Sequence, residues 1–423
     1  MKYLHFTQKI NSFLSILSAN VINNFCSFLI TIFTARFLGP MEFAKFALAV
    51  ALTTNLASIL DLGSSTALIR LYNAAKDDNY KSILINVISN FKLGLCLLMI
   101  VLSYPGGQLL IQIFPILKDT GFLVYLVIVS SGLLSMWMTT IAAEQSQKHF
   151  RSFQLYTLAY GILRLIVAAI FIIKQQISLA TIFTSLYAIP ISILMIYKYI
   201  SKYIFLKSDN NSYIEYIEAN NFKILKSIFN YGVWVGIGGF LFSLLYQLPQ
   251  FVLARTASGS EVGFYGAGFT FLPVFMLTND SIRTILLPEV SAIQSPEGRQ
   301  NFQKRLWQIS PIFFSLMTTV LVVMSCVQYF LLGQRYQDSI LVFLAMGSST
   351  ILVMFLGYSN TLIHSLGIPY IDVMVNMTRV IGFILFSFFI PKTAVWMSLC
   401  LGGIMIIGEL IIYFIIKNRV YKV

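Results

Sequence analysis

Long apolar runs alternate with short polar segments along the whole chain. A helix needs about 20 predominantly apolar residues to cross the hydrocarbon core of a bilayer. Twelve runs reach this length, so together they predict an all-α integral membrane protein with about twelve transmembrane helices. The predicted spans cover residues 13–38, 43–68, 83–104, 121–143, 153–173, 179–203, 228–253, 262–287, 306–332, 340–363, 371–390 and 394–416.

One polar segment is longer than the others and lies near the middle of the chain. It is rich in Asp, Asn, Ser, Glu and Lys, and six predicted spans lie on each side of it. We therefore predict an N-terminal six-helix lobe at 1–206, a cytoplasmic linker at 207–226 and a C-terminal six-helix lobe at 227–423. Repeats with six spans each have the same orientation, so a pseudo-two-fold axis along the membrane normal is expected to relate the two lobes.

The segment 35–61 recurs in the second half of the chain without a gap. Charged residues are scarce here, so three matched charges in one register argue against coincidence and indicate one unit used twice. Two of the three matched pairs, the arginines and the glutamates, lie at predicted helix ends, where we expect them to stabilise the turn between two helices. A shift of 219 residues aligns Ala35 with Ala254, Arg36 with Arg255, Glu42 with Glu261, Phe46 with Tyr265, Ala47 with Gly266 and Asp61 with Asp280.

Composition supports a membrane protein and argues against a soluble one. Hydrophobic residues make up 57% of the chain and charged residues 11%, whereas soluble domains keep about 25% charged residues. The net charge is +13, but the basic residues lie in short segments between spans, so nucleic-acid binding is not expected. Most of them fall in the N-terminus, the even-numbered loops and the C-terminus, and the positive-inside rule then predicts cytoplasmic termini.

Cysteine and histidine give no sign of a metal or redox centre. The four cysteines lie inside apolar runs without paired or metal-like spacing, and the three histidines are scattered. No cofactor or metal is therefore expected. Charged residues after the fourth span are expected to form a solvated cytoplasmic loop, or a first contact for an anionic lipid headgroup. These residues are Glu144, Lys148, His149 and Arg151.

Ionisable side chains inside the apolar spans are the candidate functional residues. Each costs roughly 2.5–3.5 kcal/mol at the centre of a membrane helix, so such residues mark function by default. The cations at this depth are Lys92, Arg164, Arg283 and Arg379. A guanidinium binds phosphate oxygens through two parallel hydrogen bonds, so we predict substrate binding through phosphate or pyrophosphate. The alternative is that these side chains reach the interface or bind backbone carbonyls.

The two central arginines have related positions in the repeat. Under the 219-residue shift, Arg379 aligns with Tyr160, which lies one helical turn before Arg164. We therefore expect the two guanidiniums to face each other across the pseudo-axis, with Arg379 one turn nearer the cytoplasm.

Buried anions are fewer than buried cations. Asp61 and Asp280 are repeat partners and are candidates for ion coupling. The alternative is that they end helices or pair with Arg70 and Arg283. Glu409 lies near the cytoplasmic end of the last predicted span. The membrane interior is therefore predicted to be cationic overall.

The N-terminal part of the chain resembles a known family. The run D-L-G-S-S-T-A-L-I-R begins at residue 61. The more specific pattern A-R-x-L-G-P-x-E-F-(G/A) is carried by Ala35, Arg36, Leu38, Gly39, Pro40, Glu42, Phe43 and Ala44. In these residues the chain resembles the Wzx-type flippases for polysaccharide repeat units, a branch of the multidrug/oligosaccharidyl-lipid/polysaccharide exporter superfamily.

This resemblance implies two six-helix lobes that form a V around a central cavity and work by alternating access. The implied substrate is an undecaprenyl-pyrophosphate-linked oligosaccharide unit of O-antigen or capsule, moved from the cytoplasmic to the periplasmic leaflet of the bacterial inner membrane. A proton or sodium ion is the implied counter-ion. Membrane lipids, a polysaccharide polymerase and a chain-length regulator are the implied partners. Such a protein is a transporter and not an enzyme.

Two departures from related proteins argue against lipid II as the substrate. Lipid II flippases tend to carry an Arg-Asp pair in the middle of the first helix, where this chain has Ile30 and Thr31, and this chain has only twelve predicted spans. Two alternative functions stay open. A cation-coupled multidrug exporter would favour a less cationic interior. A membrane polysaccharide polymerase or glycosyltransferase would need a larger extramembrane loop with catalytic carboxylates.

Overall fold

The computed structural model describes residues 2–205, 212–291, 293, 295–362 and 370–420. These residues form fifteen α-helices and two short 3-10 helices, at Pro115–Thr120 and Gln334–Tyr336, and no β-strand occurs among them. The α-helices are α1 (Lys2–Asp61), α2 (Ser64–Ala74), α3 (Asp78–Val101), α4 (Ser103–Ile113), α5 (Leu123–Ser146), α6 (Phe150–Ile173), α7 (Leu179–Leu186), α8 (Ala188–Phe205), α9 (Ser212–Thr256), α10 (Gly259–Phe269), α11 (Pro273–Ser291), α12 (Pro296–Leu332), α13 (Gln337–Asn360), α14 (Tyr370–Ser387) and α15 (Ala394–Val420).

The apolar helices confirm the predicted all-α membrane fold. Within the described residues, ten helical stretches are long and apolar enough to cross a bilayer. Twelve spans were predicted, and the difference has two sources. The stretch Ser18–Ala74 counts once, although its 57 residues cover most of the first predicted span and all of the second. Val373–Ser387 is apolar but shorter than a full crossing requires.

The first two predicted spans are two helical segments of α1, joined by a kink at Gly39 and Pro40. Gly39 has φ 73° and ψ 172°, a region of backbone conformation that is essentially restricted to glycine. Pro40 has no N–H and so removes one helical hydrogen bond. The Ala35 carbonyl oxygen accepts a hydrogen bond from Tyr336 Oη at 2.8 Å. A side chain from a distant part of the sequence therefore packs against the bend.

Internal packing divides the chain into two compact units. Unit 1 comprises Met1–Thr34 and Ala49–Phe240, and unit 2 comprises Ala35–Leu48 and Leu241–Val423. The short segment around the α1 bend is thus grouped with the second half of the chain. The two lobes and the linker derived from the sequence stay a prediction, because this division follows packing and does not test membrane topology.

Helix α9 begins at Ser212, so part of the segment predicted as a linker is helical. Ile224 of this helix is buried in unit 1, in one apolar cluster with side chains of α2, α3 and α5. Phe229 makes an edge-to-face contact with Phe91 of α3 at 5.4 Å between ring centroids. These apolar contacts explain why the helix extends into a polar stretch of sequence. Residues 207–211 of the predicted linker lie outside the described residues.

The turn between α1 and α2 packs directly against α9 inside unit 1. Leu62 and Gly63 have positive φ angles of 45° and 70°. A Cβ built on Gly63 would collide with the Gly232 carbonyl oxygen, and one built on Gly236 would lie 2.5 Å from the Gly63 nitrogen. Glycines four residues apart on α9 therefore let two backbones touch, as small residues do at contacts between membrane helices.

Unit 2 is built around α13, which packs against α10, α12 and α15. Phe343 of α13 is fully buried. Its ring centroid lies 5.9 Å from that of Phe271 and 6.2 Å from that of Phe275. Aromatic side chains that bury this much area make this region the apolar core of the unit.

The charged residues of the internal repeat have different partners in the two copies. Glu261 Oε2 accepts a hydrogen bond from the Ala394 backbone nitrogen at 2.6 Å, so it satisfies a free N–H at the start of α15. Glu42 instead pairs with Lys45 at 2.6 Å. The two repeat arginines, Arg36 and Arg255, are exposed.

Gly236→Ala is expected to destabilise the protein, because its Cβ would meet backbone atoms of Leu62 and Gly63 that cannot rotate away. We expect a loss of about 1–3 kcal/mol, which is typical of overpacking. Gly239→Ala is the matched control on the same helix, since a Cβ there meets nothing within 4 Å. Thermal unfolding in detergent, followed by tryptophan fluorescence, compares the variants. Equal melting temperatures would contradict the close approach of the two backbones.

Candidate functional site

The buried cation Lys92 of α3 lies beside the end of α1 in unit 1. Its Nζ donates to the Leu60 carbonyl oxygen at 2.7 Å, to Ser135 Oγ at 3.0 Å and to Asp61 Oδ1 at 3.3 Å. The side chain is 1% exposed. An ammonium group has three N–H donors, so the protein itself satisfies all of them. The substrate-binding role of Lys92 stays a prediction.

Asp61 also connects α1 with α2. It is the last residue of α1, and its Oδ1 accepts hydrogen bonds from Ser64 Oγ at 3.1 Å and Ser65 Oγ at 2.6 Å. The Ser65 backbone nitrogen lies 3.4 Å from Oδ2. A carboxylate at a helix start satisfies free N–H groups and is favoured by the helix dipole. Asp61 thus joins the end of α1, the start of α2 and Lys92 of α3, and its ion-coupling role stays a prediction.

Arg164 is the buried cation of α6 in unit 1, and it is 7% exposed. Its Nε donates to the Leu186 carbonyl oxygen at 2.9 Å, and its Nη1 donates to Ser27 Oγ. The guanidinium carbon lies 3.7 Å from the centroid of the Tyr160 ring and 5.7 Å from that of Tyr187. All of these partners are uncharged. Among the described residues, no carboxylate forms an ion pair with Arg164.

Arg379 of α14 has a different environment in unit 2. Its Nη2 donates to Glu409 Oε1 at 2.9 Å and to the Met405 carbonyl oxygen at 3.1 Å. Its Nη1 donates to Asn376 Oδ1 at 2.8 Å. Glu409 Oε2 accepts from Asn360 Nδ2 at 2.5 Å. Arg379 is 5% exposed, and the partly buried carboxylate of Glu409 neutralises this cation inside the protein.

The remaining two predicted site residues lie on α11. Their backbone is helical, but the side chains of Asp280 and Arg283 lie outside the described residues. The ion-coupling role of Asp280 and the substrate-binding role of Arg283 therefore stay predictions. Arg164 and Arg379 belong to different units, so the expectation that they face each other also stays a prediction.

In each unit, a positively charged side chain lies at the centre of a polar cluster. Lys92 Nζ lies between oxygen atoms of Asp61 and Ser135, and the Arg379 guanidinium lies between those of Glu409 and Asn376. Within the described ranges, no three His, Cys, Asp or Glu side chains come together as metal ligands would.

Glu144 differs from its predicted place in a solvated loop. It is 9% exposed at the end of α5. Its Oε1 accepts from Lys198 Nζ of α8 at 2.9 Å, and its Oε2 lies 3.8 Å from His149 Nδ1. Lys148, His149 and Arg151 are exposed around the turn between α5 and α6. The apolar packing of α5 and α8 brings Glu144 under the loop instead of into solvent.

Several partners of the buried arginines were missing from the sequence analysis. The sequence places Tyr160 one turn before Arg164 on nearly the same helix face, but its contact with the guanidinium was not predicted. Glu409 was identified as a buried anion, but its pairing with Arg379 was not. The two lie 30 residues apart on different helices, and no local pattern reports a contact of this kind.

Lys92→Met is expected to lower the stability by about 3–5 kcal/mol, because it leaves the Asp61 carboxylate buried without its counter-ion. Lys92→Met/Asp61→Asn removes both charges and should recover most of the lost stability. Thermal unfolding of the purified variants in detergent tests this. A double variant that melts no higher than Lys92→Met alone would contradict the coupling between the two side chains.

Comparison with known proteins connects the chain to one family. A model of the family described as polysaccharide biosynthesis protein matches residues 10–294, which is more than half of the 423 residues. No curated protein matches the chain.

Solved structures of transporters share the fold. An inward-facing multidrug resistance MATE family transporter of the MOP superfamily has a TM-score of 0.74 at 14% identity, covering 96% of this chain and 98% of that one. The lipid II flippase MurJ in an inward closed conformation has a TM-score of 0.68 at 17% identity, covering 96% and 87%. A MOP superfamily transporter from Pyrococcus furiosus Vc1 (DSM3638), described as having a binding pocket of reverse polarity, has a TM-score of 0.63 at 14% identity, covering 96% and 94%. These TM-scores show a common fold. The chain therefore belongs to the polysaccharide biosynthesis protein family, and it has the fold of the MOP superfamily transporters.

Proposed function

We propose that this protein is a flippase for a lipid-linked oligosaccharide. The substrate would be an undecaprenyl-pyrophosphate-linked repeat unit of O-antigen or capsule, moved from the cytoplasmic to the periplasmic leaflet by alternating access. Membership of the polysaccharide biosynthesis family supports a substrate of this class. The fold shared with a lipid II flippase and with MATE transporters supports the proposal that this protein is a transporter and not an enzyme.

The observation that carries the proposal is the uncompensated charge of Arg164. A cation inside a membrane span is costly, yet among the described residues Arg164 is held by neutral groups alone. A pyrophosphate group would supply the missing negative charge and would accept charge-assisted hydrogen bonds from the guanidinium. The apolar polyprenyl chain would stay in the lipid during transport.

Lys92, Arg379 and Arg283 are the other proposed substrate-binding residues. Lys92 and Arg379 are bonded to carboxylates, so each would exchange a carboxylate for a substrate oxygen during transport. Arg283 is included because of its place in the eighth predicted span alone.

Ion coupling is proposed for Asp61 and its repeat partner Asp280. The Asp61 carboxylate is buried and bonded to Lys92 and to two serines. A proton or a sodium ion that bound there would weaken these bonds, which join α1, α2 and α3. Occupancy of the carboxylate would in this way be linked to the packing of three helices. For Asp280 the proposal rests on the repeat.

The proposed location is the bacterial inner membrane, with both termini in the cytoplasm. The distribution of lysine and arginine between the predicted loops supports this orientation. A polysaccharide polymerase and a chain-length regulator are the proposed partners, because repeat units delivered to the periplasmic leaflet still have to be joined.

Arg164→Ala is expected to abolish surface polysaccharide in a strain that lacks the chromosomal gene, because the substrate would lose its uncompensated cation. Membrane abundance should be unchanged, since the substitution leaves no carboxylate unpaired. Gel electrophoresis of extracted glycan measures the polymer, and immunoblotting of membranes measures abundance. The exposed Arg255 provides the control variant Arg255→Ala, for which both should be normal.

Normal surface polymer in the Arg164→Ala strain would contradict the substrate role. The deletion strain itself separates the alternatives. A multidrug exporter would change drug susceptibility and leave the glycan intact. A polymerase or glycosyltransferase would form product when purified protein is supplied with lipid-linked sugar.

The test of Arg379 needs a double variant, because removing Arg379 alone leaves the Glu409 carboxylate without its counter-ion. Arg379→Gln/Glu409→Gln removes both charges and should keep the membrane abundance near normal. The substrate role predicts loss of surface polysaccharide in this double variant at normal abundance. Polymer at the level of the unmodified protein would show that the pair serves stability alone.

A further inference from the structure

The Leu186 carbonyl oxygen lacks its usual helical partner because of Pro190. In a continuous helix the carbonyl of residue i accepts from the N–H of residue i+4, and proline has no N–H. Helix α7 ends at Leu186, and Tyr187 has non-helical angles of φ −125° and ψ −64°. The next bond in the series, from the Ile191 N–H to the Tyr187 carbonyl, is formed at 3.2 Å. The Leu186 oxygen is therefore available to side chains.

Two side chains of α6 use this oxygen. Arg164 Nε donates to it at 2.9 Å, and Tyr160 Oη donates to it at 3.1 Å. A carbonyl oxygen has two lone pairs, so these donors saturate it. Because Tyr160 and Arg164 are one turn apart, the same arrangement places the phenol ring 3.7 Å from the guanidinium carbon.

Two hydrogen bonds fix the orientation of the Arg164 guanidinium. The carbonyl oxygen of Leu186 and the hydroxyl of Ser27 accept from Nε and Nη1. Because the guanidinium is planar and rigid, two bonded nitrogens determine the direction of the third. Neither of these two bonds uses Nη2.

Arg379 is also held through two nitrogens in unit 2, but these are Nη1 and Nη2 and not Nε. Its Nε has no hydrogen-bond partner among the described residues, although it is buried, and its Nη2 is bonded to Glu409 and to the Met405 carbonyl. The anchoring through Nε is thus a property of Arg164 and of the helix break at Pro190.

We propose that Pro190 is a positioning residue for substrate recognition. It removes the N–H that would compete for the Leu186 oxygen, so that this oxygen and Ser27 hold the Arg164 guanidinium with Nη2 directed at a pyrophosphate group. The proposal rests on the function proposed above for Arg164. An arginine that is already ordered loses less conformational entropy when it binds an anion. Pro190 therefore raises the affinity for pyrophosphate without touching the substrate.

The test measures binding of two probes to the full-length protein in nanodiscs, by tryptophan fluorescence. The probes are geranylgeranyl pyrophosphate and geranylgeraniol, so the ratio of their affinities isolates recognition of the pyrophosphate from that of the isoprenoid chain. Pro190→Ala restores an N–H and should lower this ratio about tenfold, the equivalent of one hydrogen bond to a charged group. Ser27→Ala removes the second acceptor without altering α8, and it should also lower the ratio.

Two further variants separate positioning from a structural effect. Pro311 is an exposed proline inside α12, so Pro311→Ala is the matched control and should leave the ratio unchanged. Arg164→Lys keeps the charge but lacks a donor equivalent to Nε–H. In that background Pro190→Ala should have no further effect on the ratio, whereas a general structural effect would lower it equally in both backgrounds.

The outcomes distinguish this inference from the proposed function. Loss of pyrophosphate selectivity in Arg164→Ala and in Pro190→Ala, with no further loss when Pro190→Ala is added to Arg164→Lys, supports the positioning role. If Arg164→Ala loses the selectivity and Pro190→Ala keeps it, the positioning role is overturned and the proposed function stands. If Arg164→Ala keeps the selectivity, the proposed function fails, and the positioning role fails with it.

Discussion

A charged side chain inside a membrane has to find its partners within the protein, because hydrocarbon offers no hydrogen bonds and no counter-ions. Lys92 and Arg379 meet this requirement with a carboxylate each, Asp61 and Glu409. Arg164 meets it with neutral oxygen atoms and an aromatic ring among the described residues. Each ion pair is therefore neutral overall, whereas Arg164 keeps a positive charge that the proposed anionic substrate would compensate. The functional proposal depends on this difference.

Breaks in the helices supply several of these partners. The last carbonyls of a helix have no intrahelical donor, and a helix that ends or bends at membrane depth brings such carbonyls into the protein interior. Long polar side chains then satisfy them, and the same bonds hold those side chains in place. The pairs of carbonyl and donor are Leu60 with Lys92, Leu186 with Arg164 and Ala35 with Tyr336. In unit 1, the cations Lys92 and Arg164 therefore both bind carbonyl oxygens at helix ends.

The membrane fold could be predicted from run length, because a crossing must be long and apolar whatever it packs against. It also predicted the first two spans as separate helices, and the structure has two helical segments joined by a kink at Gly39. The same reasoning missed one feature of the helices. Helix α9 begins at Ser212 within a polar stretch, because its apolar side chains, such as Ile224, find a cluster to pack against. This feature depends on contacts between distant residues, which the periodicity of the sequence does not show.

The sequence by itself determined which ionisable residues lie at membrane depth, and hence that Lys92, Arg164 and Arg379 were the groups to explain. Only the tertiary structure decided which of them carry a net charge. The carboxylates that neutralise Lys92 and Arg379 lie 31 and 30 residues away, and Ser27 lies 137 residues from Arg164. Helical periodicity relates side chains three or four residues apart. Pairing over longer separations depends on how whole helices pack, which is decided by shape and burial across the unit.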